Sequence, residues 1–246
     1  MTATDEINDS QPKHCLNCGK ELVDEYCQRC GQPADTERYS LQNFSHETYK
    51  NLRKIDITAT AKTFWELLAR PGAFVREYFA GKRVGFVHPV KFFVYGYLLE
   101  LLVRNFLAWA TGDQILATVL RGEGILFQLI DLLAIAFWGL MWPLFYRDEE
   151  LNLAEFALSA LILHSQTVFL SVVLLIVTLP IRELVPGSLP YLVAVKLLLD
   201  TVYMYYFAIQ LFSHEPKWKV FLKQSVLYAI IALLAYPVMY ADELIR

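Results

Sequence analysis

The sequence predicts an all-α polytopic membrane helix bundle, with five transmembrane helices and a small cysteine-bearing head at its N-terminus. Three observations lead to this prediction: the chain is apolar, its polar residues are concentrated before residue 86, and its four cysteines are closely spaced. Of the 246 residues, 56% are hydrophobic and only 19% are charged, and the mean hydropathy is +0.36. An ordinary soluble domain is less apolar than this.

Charge is unevenly distributed along the chain. Residues 1–85 carry 12 Lys/Arg and 12 Asp/Glu, so the net charge of −3 belongs to the apolar remainder. This composition excludes a fully disordered protein, a disulfide-rich secreted mini-protein and a basic nucleic-acid-binding protein. The expected partner is therefore a lipid bilayer, and no nucleic-acid partner is expected.

The head is predicted to be a zinc ribbon over residues 15–32, after a disordered N-terminus at residues 1–14. Its motif is C-x2-C-x8-C-x2-C, and its four thiols belong to Cys15, Cys18, Cys27 and Cys30. Each C-x2-C turn presents two thiolates to one point, and two such turns complete a tetrahedral site. A glycine follows each pair, at Gly19 and Gly31, where a positive φ turns backbone amides toward the sulfurs.

The metal predicted for this site is a structural Zn²⁺ with closed coordination, which leaves no open position for catalysis. A segment this short cannot bury enough core to fold alone, so metal binding and folding are expected to be one event. The alternatives are iron in the same S4 geometry, a redox dithiol pair, or disulfides. A cytoplasmic location argues against disulfides, and two symmetric pairs argue against redox work.

Between the head and the first span, residues 33–57 are predicted to be a linker that runs into a polar helix. Residues 58–85 are predicted to form two short amphipathic helices that lie in the bilayer interface. Four basic residues are the candidates for binding anionic lipid headgroups: Arg70, Arg76, Lys82 and Arg83. The alternative is that the aromatic faces of these helices pack on the membrane bundle instead.

The membrane domain is predicted to occupy residues 86–246. Its five apolar stretches, each of about 20 residues or more, are 89–110, 125–145, 154–179, 189–212 and 220–240. The first is interrupted by Lys91, Glu100 and Arg104, so it could instead be re-entrant, which would leave four crossings. Basic residues crowd the approach to the first span, Arg147 lies in the second loop, and Lys217, Lys219 and Lys223 cluster at the fourth. The positive-inside rule then places the N-terminus in the cytoplasm and the C-terminus in the periplasm of a bacterial inner membrane.

Ionisable residues inside the predicted spans form a candidate polar cluster. Its members are Glu100, Arg104, Asp131, His164, Lys196 and Asp200. Each such residue costs on the order of 2.5–3.5 kcal/mol at the centre of a membrane helix, so these side chains should face the bundle interior or water. They could form a pathway or pocket for a proton, an ion or a small polar solute. They could also be packing contacts, because two pairs have the i,i+4 spacing at which they neutralise themselves.

Enzyme signatures are missing from the sequence: it has no nucleophile elbow, no phosphate loop and no zincin helix. The expected function is therefore non-enzymatic handling of a small polar solute, ion or lipid by the bundle, with the head as a docking module for a protein partner. A membrane scaffold is the first alternative. A lipid-modifying enzyme, which would use groups near His88, Lys82 and Arg83 at headgroup depth, is the second.

Residues 15–93 carry several short motifs in a fixed order. The two Cys-x2-Cys-Gly turns are followed by Arg70-Pro71-Gly72, Gly81-Lys82-Arg83 and Phe92-Phe93. Over residues 15–93 this pattern resembles an uncharacterised bacterial family of zinc-ribbon-headed multi-span membrane proteins. The resemblance implies a bacterial inner-membrane protein with a cytoplasmic zinc ribbon, and it implies no particular activity. The oligomeric state is not predicted.

Overall fold

The structure, a computed structural model, describes residues 14–36, 38–39, 56–112, 124–185 and 187–239, and this part of the chain is all-helical apart from the head. The helices are α1 (Ile57–Ala69), α2 (Pro71–Phe79), α3 (Pro89–Thr111), α4 (Gly124–Phe145), α5 (Leu153–Leu184), α6 (Leu189–Leu211) and α7 (Lys217–Met239). Residues 1–13, predicted to be disordered, and residues 40–55 of the predicted linker lie outside the described residues. In α4 the side chains are described only from Leu132 onward.

Helices α1 and α2 form a bent pair because of the Arg70-Pro71 step. Asp56 caps α1 through a 2.8 Å hydrogen bond from the Ala59 amide to its carboxylate. At Arg70 the backbone leaves the helical region, as expected before a proline, and Pro71 then starts α2 at a position where no amide is needed. Gly72 lets α2 lie directly on α6, since a Cβ there would come within 2.2 Å of the Leu211 amide nitrogen. The second helix of the predicted interfacial pair therefore packs on the bundle.

Helix α5 is the central element, and it packs most extensively on α3 and α4. It begins with a capping box, in which the Asn152 side chain accepts from the Glu155 amide and the Glu155 carboxylate accepts from the Asn152 amide. Helix α3 begins at Pro89 behind the N-cap residue His88 and ends at Thr111, and the C-cap residue Gly112 has a φ of +67°.

Successive long helices run in alternating directions, and the ends of four of them meet on the side of the head. The loop after α4 and the loop after α6 are joined there by a 3.1 Å hydrogen bond from the His214 amide to Glu149. Lys223 of α7 donates to the carbonyl of Phe145 at the end of α4. This shared side, which includes the loops 146–152 and 212–216 and the start of α3, is called the head-side end below.

Within the described residues, three helices are long and apolar enough to cross a membrane, over Pro89–Ala110, Leu153–Ile181 and Pro190–Leu211, and they indicate a membrane protein. The part of α4 with described side chains, Leu132–Phe145, is a shorter apolar helix. The count of five crossings remains a prediction.

The core is concentrated at the head-side end of the bundle. Trp142, Tyr146, Phe207 and Phe212 are completely buried there, and the Tyr146 and Phe212 rings stack with centroids 3.7 Å apart. Farther from the head, large apolar side chains such as Trp109 and Leu233 are exposed. This pattern suits helices whose outer surfaces are covered by lipid rather than water.

Candidate metal centre and adjoining polar cavity

The four cysteines lie on two turns of the same construction. In each turn the amide of the glycine donates a 2.8 Å hydrogen bond to the carbonyl of the first cysteine, from Gly19 to Cys15 and from Gly31 to Cys27. The two glycines have φ values of +72° and +74°, a region that side-chain-bearing residues rarely adopt. The predicted positive φ at both glycines is therefore confirmed.

The two turns bring the four thiols to a single point. All four Sγ atoms lie within 4.8 Å of one another, and the Cys15–Cys30 and Cys18–Cys27 sulfur pairs are 3.5 Å apart. Tetrahedral coordination with metal–sulfur bonds of about 2.3 Å places sulfurs slightly less than 4 Å apart, so this donor set fits such an ion. None of the four cysteines forms a disulfide, and together they could hold a metal ion.

Backbone amides favour the thiolate form at one of these cysteines. Hydrogen bonding from the Cys30 amide, helped by that of Arg29, lowers the pKa of the Cys27 thiol to about 6. Removal from water raises the pKa of Cys30 to about 11. Four sulfurs this close cannot all be charged without a cation among them, which is the electrostatic reason for a bound metal.

Both cysteine turns contact the same residue of the bundle, Gly81. Gln32, which follows the second turn, donates a 2.9 Å hydrogen bond from Nε2 to the Gly81 carbonyl. Leu16, inside the first turn, packs so closely that a Cβ on Gly81 would lie 2.7 Å from its Cδ1. Gly81 has a φ of +105°. The head is thus seated on a backbone position that only glycine fills without strain.

Two residues after the head extend this contact to α5. The Arg38 guanidinium makes two hydrogen bonds to Glu155, at 2.6 and 2.7 Å, and the Glu155 carboxylate is completely buried. The Asn152 side chain donates to the Tyr39 carbonyl at 2.7 Å. The Tyr39 ring is covered by the Arg83 guanidinium at 3.9 Å. One basic residue of the predicted headgroup set is thus held by the segment that follows the head.

The head and the bundle together line a half-open cavity of about 340 Å³. Leu16 and Arg38 contribute from the head side of the cavity, and Arg76, Glu149 and His214 contribute from the bundle. The remaining walls include apolar side chains at the ends of α2 and α6. A small polar molecule with an apolar portion would fit such a space.

Glu149 is the buried acid of this cavity. Its side chain is 2% exposed; the His214 amide donates to Oε1 at 3.1 Å, and the His214 ring nitrogen Nδ1 lies 3.2 Å from Oε2. Arg76 approaches Oε2 at 3.9 Å. Burial raises the pKa of the Glu149 carboxyl, while His214 and Arg76 act in the opposite direction.

The other residues of the predicted headgroup set also have protein partners. Arg70 pairs with Glu66 at 2.7 Å and with Glu77 at 2.6 Å, and Lys82 lies 3.3 Å from Glu77. Arg76 donates to the Leu211 carbonyl and to the Ser213 hydroxyl. The four basic residues therefore help to hold α2 and its surroundings together, whatever they bind in addition.

Among the described members of the predicted intramembrane cluster, two ion pairs each lie within a single helix: Glu100 with Arg104 at 2.6 Å in α3, and Lys196 with Asp200 at 2.5 Å in α6. His164 of α5 is joined to α3 by a 2.8 Å hydrogen bond between its Nε2 and the Tyr97 hydroxyl. The side chain of Asp131 lies outside the described residues.

Sequence reasoning missed the residues that connect the head to the bundle. Glu149 lies in a run of charged residues, Arg147-Asp148-Glu149-Glu150, that looks like an ordinary solvated loop. A local signal existed only for Glu155, because Asn152-x-x-Glu155 before an apolar run is a capping-box pattern. The contacts of Arg38 and Gln32 join positions far apart in the chain, and no local pattern encodes them.

A family model described as "Protein of unknown function (DUF3667)" matches residues 61–99, from α1 into α3. The match supports an uncharacterised domain family for this segment, and it does not include the four cysteines. No curated protein and no solved structure matches the chain.

Proposed function

We propose that this is a five-span protein of the bacterial inner membrane, with a structural Zn²⁺ ribbon on the cytoplasmic side, that handles a small polar solute, an ion or a lipid without covalent chemistry. The observation that carries the proposal is the cavity of about 340 Å³ whose walls come from both the head and the bundle. Its walls combine charged side chains with apolar ones, which is the lining that a small molecule with a polar group requires.

The alternation of the five long helices supports the count of five spans. Their lengths of 22 to 32 residues meet or exceed the roughly 20 residues that a crossing needs. Exposed basic residues at the head-side end, Arg147, Lys217 and Lys219, support a cytoplasmic location for that end.

Zinc is proposed as the metal because four thiolates in a closed site are a ligand set that zinc favours for structural purposes. The ion would neutralise the charge of the thiolates and cross-link the two cysteine turns. Leu16 and Gln32 could hold Gly81 only while the turns keep their shape, so the metal would also maintain one wall of the cavity.

A membrane scaffold is the second candidate, and one observation favours it. The two intramembrane ion pairs are each satisfied within one helix, which lowers their cost without requiring a solute pathway. In that case the polar groups would serve helix packing, and the head would serve a protein partner.

Native mass spectrometry of the full-length protein tests the proposed function. A small molecule or lipid should remain bound to the wild type and should be lost from Gly81→Ala, which loosens the head, but not from Gly85→Ala. Gly85 is a matched control because its φ is also positive, at +82°, and only the mobile Lys62 amine is close to it. A wild type without a bound molecule would leave the scaffold as the better candidate, and equal occupancy in all three proteins would mean that the ligand does not depend on the head.

A further inference from the structure

The buried carboxylate of the cavity between the head and the bundle is already engaged by donors. Glu149 lines the cavity, and both of its oxygens face the amide or the ring of His214. Glu150 also lines the cavity but is exposed, and its carbonyl oxygen accepts from Arg38. Beside the cavity, both oxygens of Glu155 accept from Arg38. A cation would have to compete with the His214 donors for the buried Glu149.

The guanidinium groups of the two arginines that line this cavity, by contrast, have N–H donors that are not used in hydrogen bonds with the described part of the chain. Arg38 uses Nε and Nη2 for Glu155 and Glu150, and Arg76 uses Nη1 for Leu211 and Ser213. Within the described part of the chain, Nη1 of Arg38 and both Nε and Nη2 of Arg76 have no hydrogen-bond partner. Both side chains are accessible, with 54% and 35% of their surfaces exposed.

We infer that this cavity binds an anionic group, a phosphate or a carboxylate, between the guanidinium groups of Arg38 and Arg76. Planar guanidinium donors match the oxygens of such groups, and the resulting hydrogen bonds are charge-assisted. The inference rests on the proposed function and names the chemistry of its ligand.

The rest of the cavity suits the organic portion of such a ligand. Leu16, Phe79, Leu151 and Leu211 provide apolar surface beside the two arginines. A volume of about 340 Å³ lies at the lower end of the range for small-molecule sites, about 300–1,000 Å³. The anion could be carried by a soluble metabolite or by a lipid headgroup, since the cavity lies where the helices end and basic pockets at that depth bind anionic lipids.

The metal-folded head would support this site. Arg38 and Arg76 of α2 line the same cavity, and Leu16 of the head forms part of its wall beside Gly81. Arg38 is also held by its hydrogen bonds to Glu155 of α5, independently of the head. Removal of the metal should therefore weaken anion binding, because the Leu16 wall is lost, without abolishing it.

The test uses the full-length, metal-loaded protein in nanodiscs of phosphatidylcholine, titrated with inorganic phosphate against chloride at matched ionic strength and followed by calorimetry. Arg76→Gln should weaken phosphate binding by about tenfold or more, because hydrogen bonds to charged groups contribute that much. Arg76→Lys keeps the positive charge but lacks the planar pair of guanidinium donors, so its affinity for phosphate should lie between those of the wild type and Arg76→Gln. Arg147→Gln is the matched control, since Arg147 is an exposed arginine at the same end of the bundle that does not line the cavity.

A second arm replaces part of the phosphatidylcholine by phosphatidylglycerol and measures thermal stability. A stabilisation that Arg76→Gln removes and Arg147→Gln keeps identifies a lipid headgroup as the source of the anion; phosphate binding in neutral nanodiscs identifies a soluble source. Failure of both arms in the metal-loaded wild type, or equal losses in Arg76→Gln and Arg147→Gln, overturns the inference. If native mass spectra still contain a head-dependent ligand, the proposed function survives that failure.

Discussion

Gln32 and Gly81 are joined by a 2.9 Å hydrogen bond from the Gln32 side-chain amide to the Gly81 carbonyl oxygen, across a separation of 49 residues. Gln32 is 3% exposed. Because Gln32 follows the second cysteine turn directly, its position depends on the shape of that turn. The relationship therefore links the four-thiol site to the backbone on which the head is seated.

Chelation of the metal should unfold residues 15–31 and leave the bundle helical. The head has no buried core of its own beyond its cysteines and the groups beside them, so its folding free energy comes from the ligand bonds. We expect far-ultraviolet circular dichroism to change little, while limited proteolysis begins to cut within the head. Elemental analysis of the untreated protein should find about one zinc, or one iron, per chain; protein without either metal would contradict the four-thiolate site.

Substitution of Gly81 by alanine should detach the head from the bundle. The φ of +105° is strained for any side-chain-bearing residue, and the new Cβ would meet Leu16 at 2.7 Å. We expect a loss of about 1–3 kcal/mol in unfolding free energy from the backbone strain, and faster proteolysis between the head and α1.

Two further variants separate the effect of backbone strain at position 81 from that of the clash with Leu16. Gly85→Ala carries comparable backbone strain, yet its nearest neighbour is the flexible end of Lys62 at 3.3 Å, so its head should stay seated. Adding Leu16→Gly to Gly81→Ala removes all three Leu16 atoms that the new Cβ would meet, Cδ1 at 2.7 Å, Cβ at 2.8 Å and Cγ at 3.3 Å, and should restore part of the protection from proteolysis. If the double variant is cut as fast as Gly81→Ala alone, the clash with Leu16 is not what detaches the head.

The cysteine head was predictable because its information is local. The spacing of Cys15, Cys18, Cys27 and Cys30 and the two following glycines specify the turns, and the turns are where they were expected. The long helices were also predictable from runs of apolar residues, and the capping box at Asn152 marks where α5 begins.

The seat of the head and its cavity could not be predicted in the same way. Gly81 is contacted by residues 49 and more positions away in the chain, and the buried Glu149 lies beside His214 and Arg76, which belong to other elements. Amphipathic patterns show that α2 has an apolar face and do not say whether lipid or protein covers it. For α2, burial of Phe74, Val75 and Tyr78 in the core gives the answer.

The stability of the protein should fall between about pH 6.5 and pH 4 in a way that depends on His88. Burial, with help from Arg83 and Lys91, lowers the pKa of His88 from 6.5 to about 4. Between these two pH values the unfolded chain binds a proton at His88 and the folded protein does not. The contribution of neutral His88 to the unfolding free energy is therefore complete above pH 6.5 and is lost as the pH falls toward 4. The full loss corresponds to about 3 kcal/mol.

The measurement compares the unfolding midpoints of wild type and His88→Asn from pH 7.5 to about 4, a range set by the two pKa values. Asparagine keeps an N-cap acceptor for α3 and does not titrate. The wild type should lose more stability than the variant over this range, since carboxylates elsewhere titrate in both. Parallel curves would mean that His88 is hydrated or partnered when charged.

The ion pairs inside α3 and α6 distinguish ligand handling from scaffolding within the bundle. Asp200→Asn leaves Lys196 without its partner at 2.5 Å, in a helix long and apolar enough to cross a membrane. A structural pair predicts that this single variant loses stability in detergent, and that Lys196→Gln combined with Asp200→Asn recovers it, because an uncompensated charge costs more than a neutral pair. A polar pathway predicts instead that Asp200→Asn and His164→Gln keep their stability and lose proton flux in liposomes.

His164→Gln is informative beside Asp200→Asn because His164 lies on α5 and forms a hydrogen bond with Tyr97, so the two sites share no contact among those described. Loss of flux in both variants, at unchanged unfolding midpoints, would require one pathway through separate helices; wild-type liposomes without flux, together with recovery in the double variant, would assign these charges to packing.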